Sequence, residues 1–177
     1  RWNAYSRVDV VRGASIHSIP GLSFRYLDPL PEQEGLLVDG DDLSAVLPVE
    51  ADLSFCSYLP AAIAFELRPG ASTLVLEPRG GLDLWTALEL GAEQVLAVEP
   101  NPLIAAAAKE AYTQPDVQVI LEDQRTYLRR ERQRTFDVII LSPGTSYRPV
   151  RSGAYSLGED YRYTVEGFQD TLARLSP

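Results

Sequence analysis

Thr73-Leu74-Val75-Leu76-Glu77-Pro78-Arg79-Gly80-Gly81-Leu82-Asp83 is the stretch that decides the fold. Its first four residues predict a buried strand. The adjacent glycines predict a turn whose backbone can approach a ligand closely, and Asp83 is placed to cap a following helix. Working outward, that helix runs from Asp83 to Leu90, and Gly91 fits a left-handed helix stop. Next come a strand Gln94 to Val98, a helix Pro102 to Ala111, a strand Val117 to Leu121, a helix Gln124 to Arg132 and a strand Phe136 to Leu141. A tyrosine-rich loop with Tyr147, Tyr155, Tyr161 and Tyr163 leads into a final helix from about Asp160 to Leu175. Apolar strands alternating with amphipathic helices argue for an α/β fold: a parallel sheet with crossover helices on both faces.

Upstream the pattern changes. Short β-pieces at Arg7 to Val11, Leu22 to Tyr26, Gly35 to Val38 and Leu43 to Leu47 are punctuated by Pro20-Gly21, Pro29, Pro31 and Asp39-Gly40. From Asp52 to Leu67, Leu53, Tyr58, Leu59, Ile63 and Leu67 recur near helical spacing until Pro69-Gly70 ends the run. The expected organisation is a small β-hairpin region over residues 1–50 and an α/β domain over 51–177.

Composition excludes several classes. The net charge of −9, from 25 acidic against 16 basic residues, repels a phosphate backbone, so nucleic acid is not an expected partner. The arginines at 125, 129, 130, 132 and 134 are interrupted by Glu131 and follow Glu122 and Asp123, which suits a solvated helix face. One cysteine, Cys56, and one histidine, His17, leave no internal disulfide and no metal site to expect. Cys56 reads as a small buried side chain and His17 has no identifiable partner. No run reaches the roughly 18 apolar residues of a membrane span. The absence of methionine leads to the expectation of a processed product, an excised domain or a trimmed piece, and the lone cysteine to that of a reducing compartment.

In an open parallel sheet, ligands bind at the carboxyl ends of the strands. After the first strand stand Glu77, Arg79, Gly80 and Gly81. After the second stands Glu99, a carboxylate able to accept from both hydroxyls of a ribose, or to cap the helix at Asn101-Pro102. After the third stand Asp123 and Gln124, where Asp123 is either an acceptor for an exocyclic adenine amine or the cap of the next helix. After the fourth stands Ser142, followed by Pro143-Gly144. Arg79 is either a surface residue paired with Glu77 or Asp83, or a clamp on a ligand carboxylate.

This set, with Leu37-Val38-Asp39-Gly40 as a hairpin signature, Val98-Glu99, Glu122-Asp123, Phe136-Asp137-Val138-Ile139-Ile140 and Tyr163-Thr164-Val165-Glu166-Gly167-Phe168, resembles the spermidine synthase family along nearly the whole chain. That family of polyamine aminopropyltransferases lies within the Rossmann-like methyltransferase superfamily. The segment from Gly153 to Phe168 is more similar to bacterial spermidine synthase-like proteins, some of which carry this domain beside membrane-spanning segments.

The resemblance implies a ligand bearing adenosine: S-adenosylmethionine, its decarboxylated form or a thioadenosine product. It implies a cytoplasmic location, as a free domain or as the cytosolic part of a membrane protein. It also exposes departures. The family's catalytic aspartate after the fourth strand corresponds to Ser142, its hairpin glutamine to Leu43, its loop aspartate to Gly80, and its tyrosine-histidine-glutamate run to Phe55-Cys56-Ser57. The nucleoside side, Glu99 and Asp123, is kept. Aminopropyl transfer is therefore doubtful, and a methyltransferase or a non-catalytic sensing or interaction domain are the alternatives. The family's further C-terminal strands are expected to be missing after Pro177, so the Phe136 to Leu141 strand is expected to present an apolar edge, open to a homodimer or covered by a remainder that this piece omits.

Overall fold

The computed structural model describes residues 1–142 and 161–177. Three antiparallel strands come first: β1 (Val8–Arg12), β2 (Glu34–Val38) and β3 (Asp41–Val46), in the order β1-β2-β3. The turn between β2 and β3 uses Asp39 and Gly40, both at positive φ. The segment expected to form a strand at Leu22 to Tyr26 is instead a series of turns, with the Tyr26 ring edge-on to Phe55 and Tyr58. Pro20, Pro29 and Pro31 flank it and cannot donate to a ladder, so packing of Tyr26 replaces strand pairing there.

The helix expected from Asp52 to Leu67 is broken into a 3-10 turn, Ser54–Tyr58, and α1 (Ala62–Leu67). Pro60 is the cause: it forces Leu59 into an extended conformation (ψ 153°) and removes a backbone donor.

The second sheet is parallel, in the order β6-β5-β4-β7. Its strands are β4 (Ser72–Leu76), β5 (Gln94–Val98), β6 (Val117–Ile120) and β7 (Val138–Leu141), linked by α2 (Leu82–Glu89), α3 (Pro102–Ala107), α4 (Lys109–Tyr112) and α5 (Gln124–Arg130). After the undescribed residues come a 3-10 turn, Tyr161–Tyr163, and α6 (Val165–Leu172). The central strand β4 is the first in chain order; the chain steps outward from it to β5 and β6 and then crosses back to β7 on its other side, so the switch point that opens a crevice at the strand ends lies between β4 and β7. Leu74, Val75, Leu76, Leu96, Ala97 and Val98 are all fully buried, as strands covered on both faces must be. Burying each such Leu or Val side chain contributes about 1.5–3 kcal/mol.

Two expectations shift. The helix from Pro102 to Ala111 turns at Ala108 (φ −99°, ψ 32°), which separates α4 from α3 and brings Ala111 and Tyr112 against the glycine turn. Asp83 is not the cap of α2. Gly81 takes that place with φ 89°, and Asp83 sits in the first turn. The tyrosine-rich loop around Tyr147 and Tyr155, the Pro143-Gly144 step and the expected start of the last helix at Asp160 lie outside the described residues.

Leu175 forms a parallel bridge with Phe136: the Phe136 amide donates to Arg174 and accepts, at its carbonyl, from Ser176. The final residues therefore begin a further parallel pairing beside the start of β7. Among the described residues no helix is long and apolar enough to cross a membrane.

Candidate nucleoside site

The hydrogen-bond ladder of the parallel sheet runs one residue past the strands and brings three site residues to one level. Ser142 N–H donates to Leu76 C=O at 3.3 Å, Glu77 N–H to Val98 C=O at 2.8 Å, and Glu99 N–H to Ile120 C=O at 3.0 Å. Ser142, Glu77 and Glu99 thus stand in a row across β7, β4 and β5.

Between Glu77 and α2 the chain turns sharply. Glu77 and Arg79 both adopt left-handed backbone (φ 53° and 51°), a conformation that costs a non-glycine residue about 1–2 kcal/mol, and Gly81 follows at φ 89°. Such strain persists only where the surroundings fix the loop. Glu99 is one of the groups that fix it. Its Oε2 accepts from the Arg79 amide at 3.3 Å and lies 3.4 Å from the Tyr112 hydroxyl, while its Oε1 accepts from the Asn101 amide at 3.0 Å. Tyr112 Oη in turn donates to the Arg79 carbonyl at 3.0 Å. Gly81 has no room for a side chain, since a Cβ there would lie 2.5 Å from Ala111 Cβ.

Glu99 is 1% exposed. Burial pushes its carboxyl up to about 7, with the nearby Glu77 adding to the rise and the amides of Asn101 and Arg79 and the Arg79 charge opposing it. Burial likewise holds the Tyr112 phenol well above its usual value, and the Glu99 carboxylate adds to that. Glu77 is itself held by Arg162, whose Nη1 reaches Glu77 Oε2 at 2.7 Å from the far side of the undescribed segment.

Asn101 joins the two sheets at this point. Its Oδ1 caps α3 by accepting from Leu103 N–H at 3.0 Å and also accepts from Asn3 Nδ2 at 2.7 Å, while its Nδ2 donates to Ser6 Oγ at 2.8 Å. Pro102 at the first helical position completes a well-formed helix start.

Asp123 caps α5: its Oδ1 accepts from the Thr126 amide at 2.9 Å and hydroxyl at 3.0 Å. Its neighbour Gln124 is buried, and Gln124 Oε1 has no partner among the described residues. Both sit beyond β6, the strand next to β5.

On the other side of the loop, a small cleft of about 60 Å³ is lined by Leu43, Ser44 and Ala45 of β3, by Pro20, and by Pro78, Arg79, Gly80, Leu82, Asp83 and Ser142. β3 presses onto the turn so closely that a Cβ on Gly80 would lie 2.1 Å from the Ala45 carbonyl oxygen. The Ser142 hydroxyl donates to Asp83 Oδ2. Burial raises the Asp83 pKa, and the Ser142 hydrogen bond opposes that rise. Ser44 Oγ is buried without a partner among the described residues.

Of the positions chosen from sequence, Glu77, Arg79, Gly80, Gly81, Glu99 and Ser142 are therefore contiguous, and Asp123 and Gln124 flank them at the next strand end. Sequence reasoning missed Tyr112, Asn101, Arg162 and the Asp83–Ser142 pair. Only Asn101 carried a local signal, an Asn immediately before Pro at a helix start.

The fold is of the Rossmann-like α/β kind. It is similar to solved spermidine synthases: the Thermotoga maritima enzyme at TM-score 0.60 and 16% identity, covering 98% of this chain and 50% of that one. A second spermidine synthase, solved with the transition-state analogue AdoDATO, matches at TM-score 0.55 and 17% identity over 81% of this chain and 47% of that one. The chain thus spans about half the length of the solved structures it matches. No protein-family model matches the sequence, and no curated protein sequence matches it.

Proposed function

We propose that this chain is a spermidine synthase-like domain that binds an adenosine-bearing ligand of the S-adenosylmethionine type at the carboxyl ends of β4, β5 and β6. The observation that carries this reading is Glu99: a buried carboxylate at the end of β5, tied by hydrogen bonds to the glycine turn that follows β4. A ribose presents two vicinal hydroxyl donors, which suits a carboxylate in that position. Asp123 and the unpartnered Gln124 Oε1 are acceptors of the kind an adenine amine needs. Arg79, lining the adjoining cleft, suits a ligand that carries a carboxylate, so S-adenosylmethionine is favoured over its decarboxylated form.

Efficient polyamine synthesis is not part of the reading. Ser142 occupies the position after β7 where the family resemblance places the amine-activating aspartate, and a serine holds no charge. The same observation favours methyl transfer as the second reading, because that reaction depends mainly on positioning donor and acceptor and loses less with the aspartate.

Calorimetric titration with S-adenosylmethionine, decarboxylated S-adenosylmethionine and methylthioadenosine tests the proposal, with Glu99→Gln as control. Binding that the substitution weakens at least tenfold supports it. No binding of any of the three refutes it, and tighter binding of the decarboxylated donor refutes the role given to Arg79. Turnover of S-adenosylmethionine with a non-amine acceptor would select the methyltransferase reading.

A further inference from the structure

Three of the hydrogen-bonding positions on the carboxylate that would receive a ribose are already taken. A carboxylate offers about four hydrogen-bonding positions, two on each oxygen. On Glu99, Oε2 takes the Arg79 amide at 3.3 Å and the Tyr112 hydroxyl at 3.4 Å, and Oε1 takes the Asn101 amide at 3.0 Å. One position on Oε1 remains, whereas a ribose held through both hydroxyls needs one on each oxygen.

Two of the three occupants are backbone amides, one in the glycine turn after β4 and one at the start of α3. Tyr112 alone is a side chain, and its hydroxyl has a nearer acceptor than Glu99, the Arg79 carbonyl, at 3.0 Å. It can leave Glu99 without being stranded. The 1% exposure of Glu99 requires that something move before any ligand touches it.

We propose that Tyr112 is a specificity-determining residue of this site: its hydroxyl occupies the position on Glu99 that a ribose hydroxyl needs, and an adenosine-bearing ligand binds by displacing it. The proposal rests on the nucleoside-binding reading above. It adds a condition, because a ligand must offer Glu99 better donors than Tyr112 already does. A vicinal diol meets that condition and a 2′-deoxyribose, with one hydroxyl fewer, does not.

The exchange is also linked to a proton. Burial and Glu77 raise the Glu99 carboxyl to about 7, and the amides of Asn101 and Arg79 with the Arg79 charge oppose that rise. Asp83, from α2, acts on the Tyr112 phenol rather than on Glu99. A ribose that donates two hydrogen bonds to Glu99 selects the ionised form. Binding near pH 7 therefore releases about half a proton per ligand, and affinity falls by about tenfold for each pH unit well below 7.

The test is calorimetric titration of methylthioadenosine and its 2′-deoxy analogue into wild-type chain and Tyr112→Phe at pH 7, each in two buffers of different ionisation enthalpy. The phenylalanine variant is expected to bind methylthioadenosine about five- to tenfold more tightly, the scale of one hydrogen bond no longer displaced. The wild type is expected to release protons and to discriminate against the deoxy analogue. Equal or weaker binding by Tyr112→Phe, with binding still abolished by Glu99→Gln, overturns the proposal and leaves the nucleoside reading standing. No binding by either protein between pH 6 and 8.5 overturns both. Should the variant fold poorly, the wild type decides alone: equal affinity for methylthioadenosine and its 2′-deoxy analogue overturns the displacement.

Discussion

Glu99 sets a pH dependence of stability that can be worked out in advance. Its carboxyl titrates at 4.5 when exposed in the unfolded chain and at about 7 when buried in the fold. Between those values the unfolded state has released a proton that the native state keeps. Stability attributable to this group is fully present below 4.5, falls as pH rises toward 7, and stays low above it. From pH 5 to pH 8 the two titration curves separate by about 2.5 kcal/mol, at 1.36 kcal/mol per pKa unit.

The perturbation is Glu99→Gln, which removes the titration. Its absolute effect mixes in a constant cost, because an amide nitrogen facing the Arg79 N–H is a mismatched donor. The informative quantity is therefore the difference between wild type and variant at the two pH values. Urea denaturation at pH 5 and pH 8 is expected to show the variant gaining about 2.5 kcal/mol on the wild type as pH rises. Carboxylates at or near the surface with lowered values, Asp52, Glu131 and Asp137, lose their contributions at lower pH and cancel in the comparison. Parallel pH profiles for the two proteins would refute the burial argument, and with it the proton linkage of ligand binding.

Three further outcomes follow from contacts around the site. Gly80→Asp is expected to cost about 3 kcal/mol or more in urea unfolding, since the Cβ alone meets the Ala45 carbonyl oxygen at 2.1 Å. Asn101→Ala removes the α3 cap and the bonds to Asn3 and Ser6 together, for about 2 kcal/mol, and deletion of residues 1–6 from the same variant should add little if those bonds are its main loss. Asp123→Ala is expected to cost about 1 kcal/mol as a lost cap; a melting curve unchanged from wild type would show the cap to be idle.

The parallel sheet was legible because its strands are buried on both faces and read as continuous apolar runs: Leu74 to Leu76 and Val95 to Val98 allow no other interpretation beside the intervening helix. What failed to show was set by tertiary contact. Nothing local to Ala108 predicts a turn; the chain bends there so that Ala111 can abut Gly81. Glu77 and Arg79 are poor choices for left-handed backbone, and only the anchoring of their loop by neighbouring strands makes the conformation tolerable. Asp83 carried a valid capping signal, yet Gly81 took the cap and left the aspartate to the cleft. In the 3-10 region Pro60 was plainly visible in the sequence, and the apolar spacing across it outweighed it wrongly.

The departures from the family pattern gather in one place, and that bears on what the proposed site can do. Leu43, Gly80 and Ser142 stand where the resemblance places a glutamine and two aspartates, and all three line the same cleft. Three polar or charged groups have been replaced by an alkyl chain, a bare backbone and a hydroxyl. β3 has closed over the space at Gly80, and the carboxylate that remains, Asp83, comes from α2 and is engaged by Ser142. Where the resemblance implies two aspartates facing a cationic donor and a cationic acceptor, the cleft holds one carboxylate, Asp83, with a raised pKa, beside Arg79. Coulomb attraction for a doubly cationic sulfonium is correspondingly weakened, whereas the carboxylates assigned to the nucleoside, Glu99 and Asp123, lie outside this cleft and are unaffected by the change. Under the proposed function, recognition of adenosine and chemistry on an amine are physically separable in this fold, and this chain keeps the residues for the first while having rebuilt the place of the second.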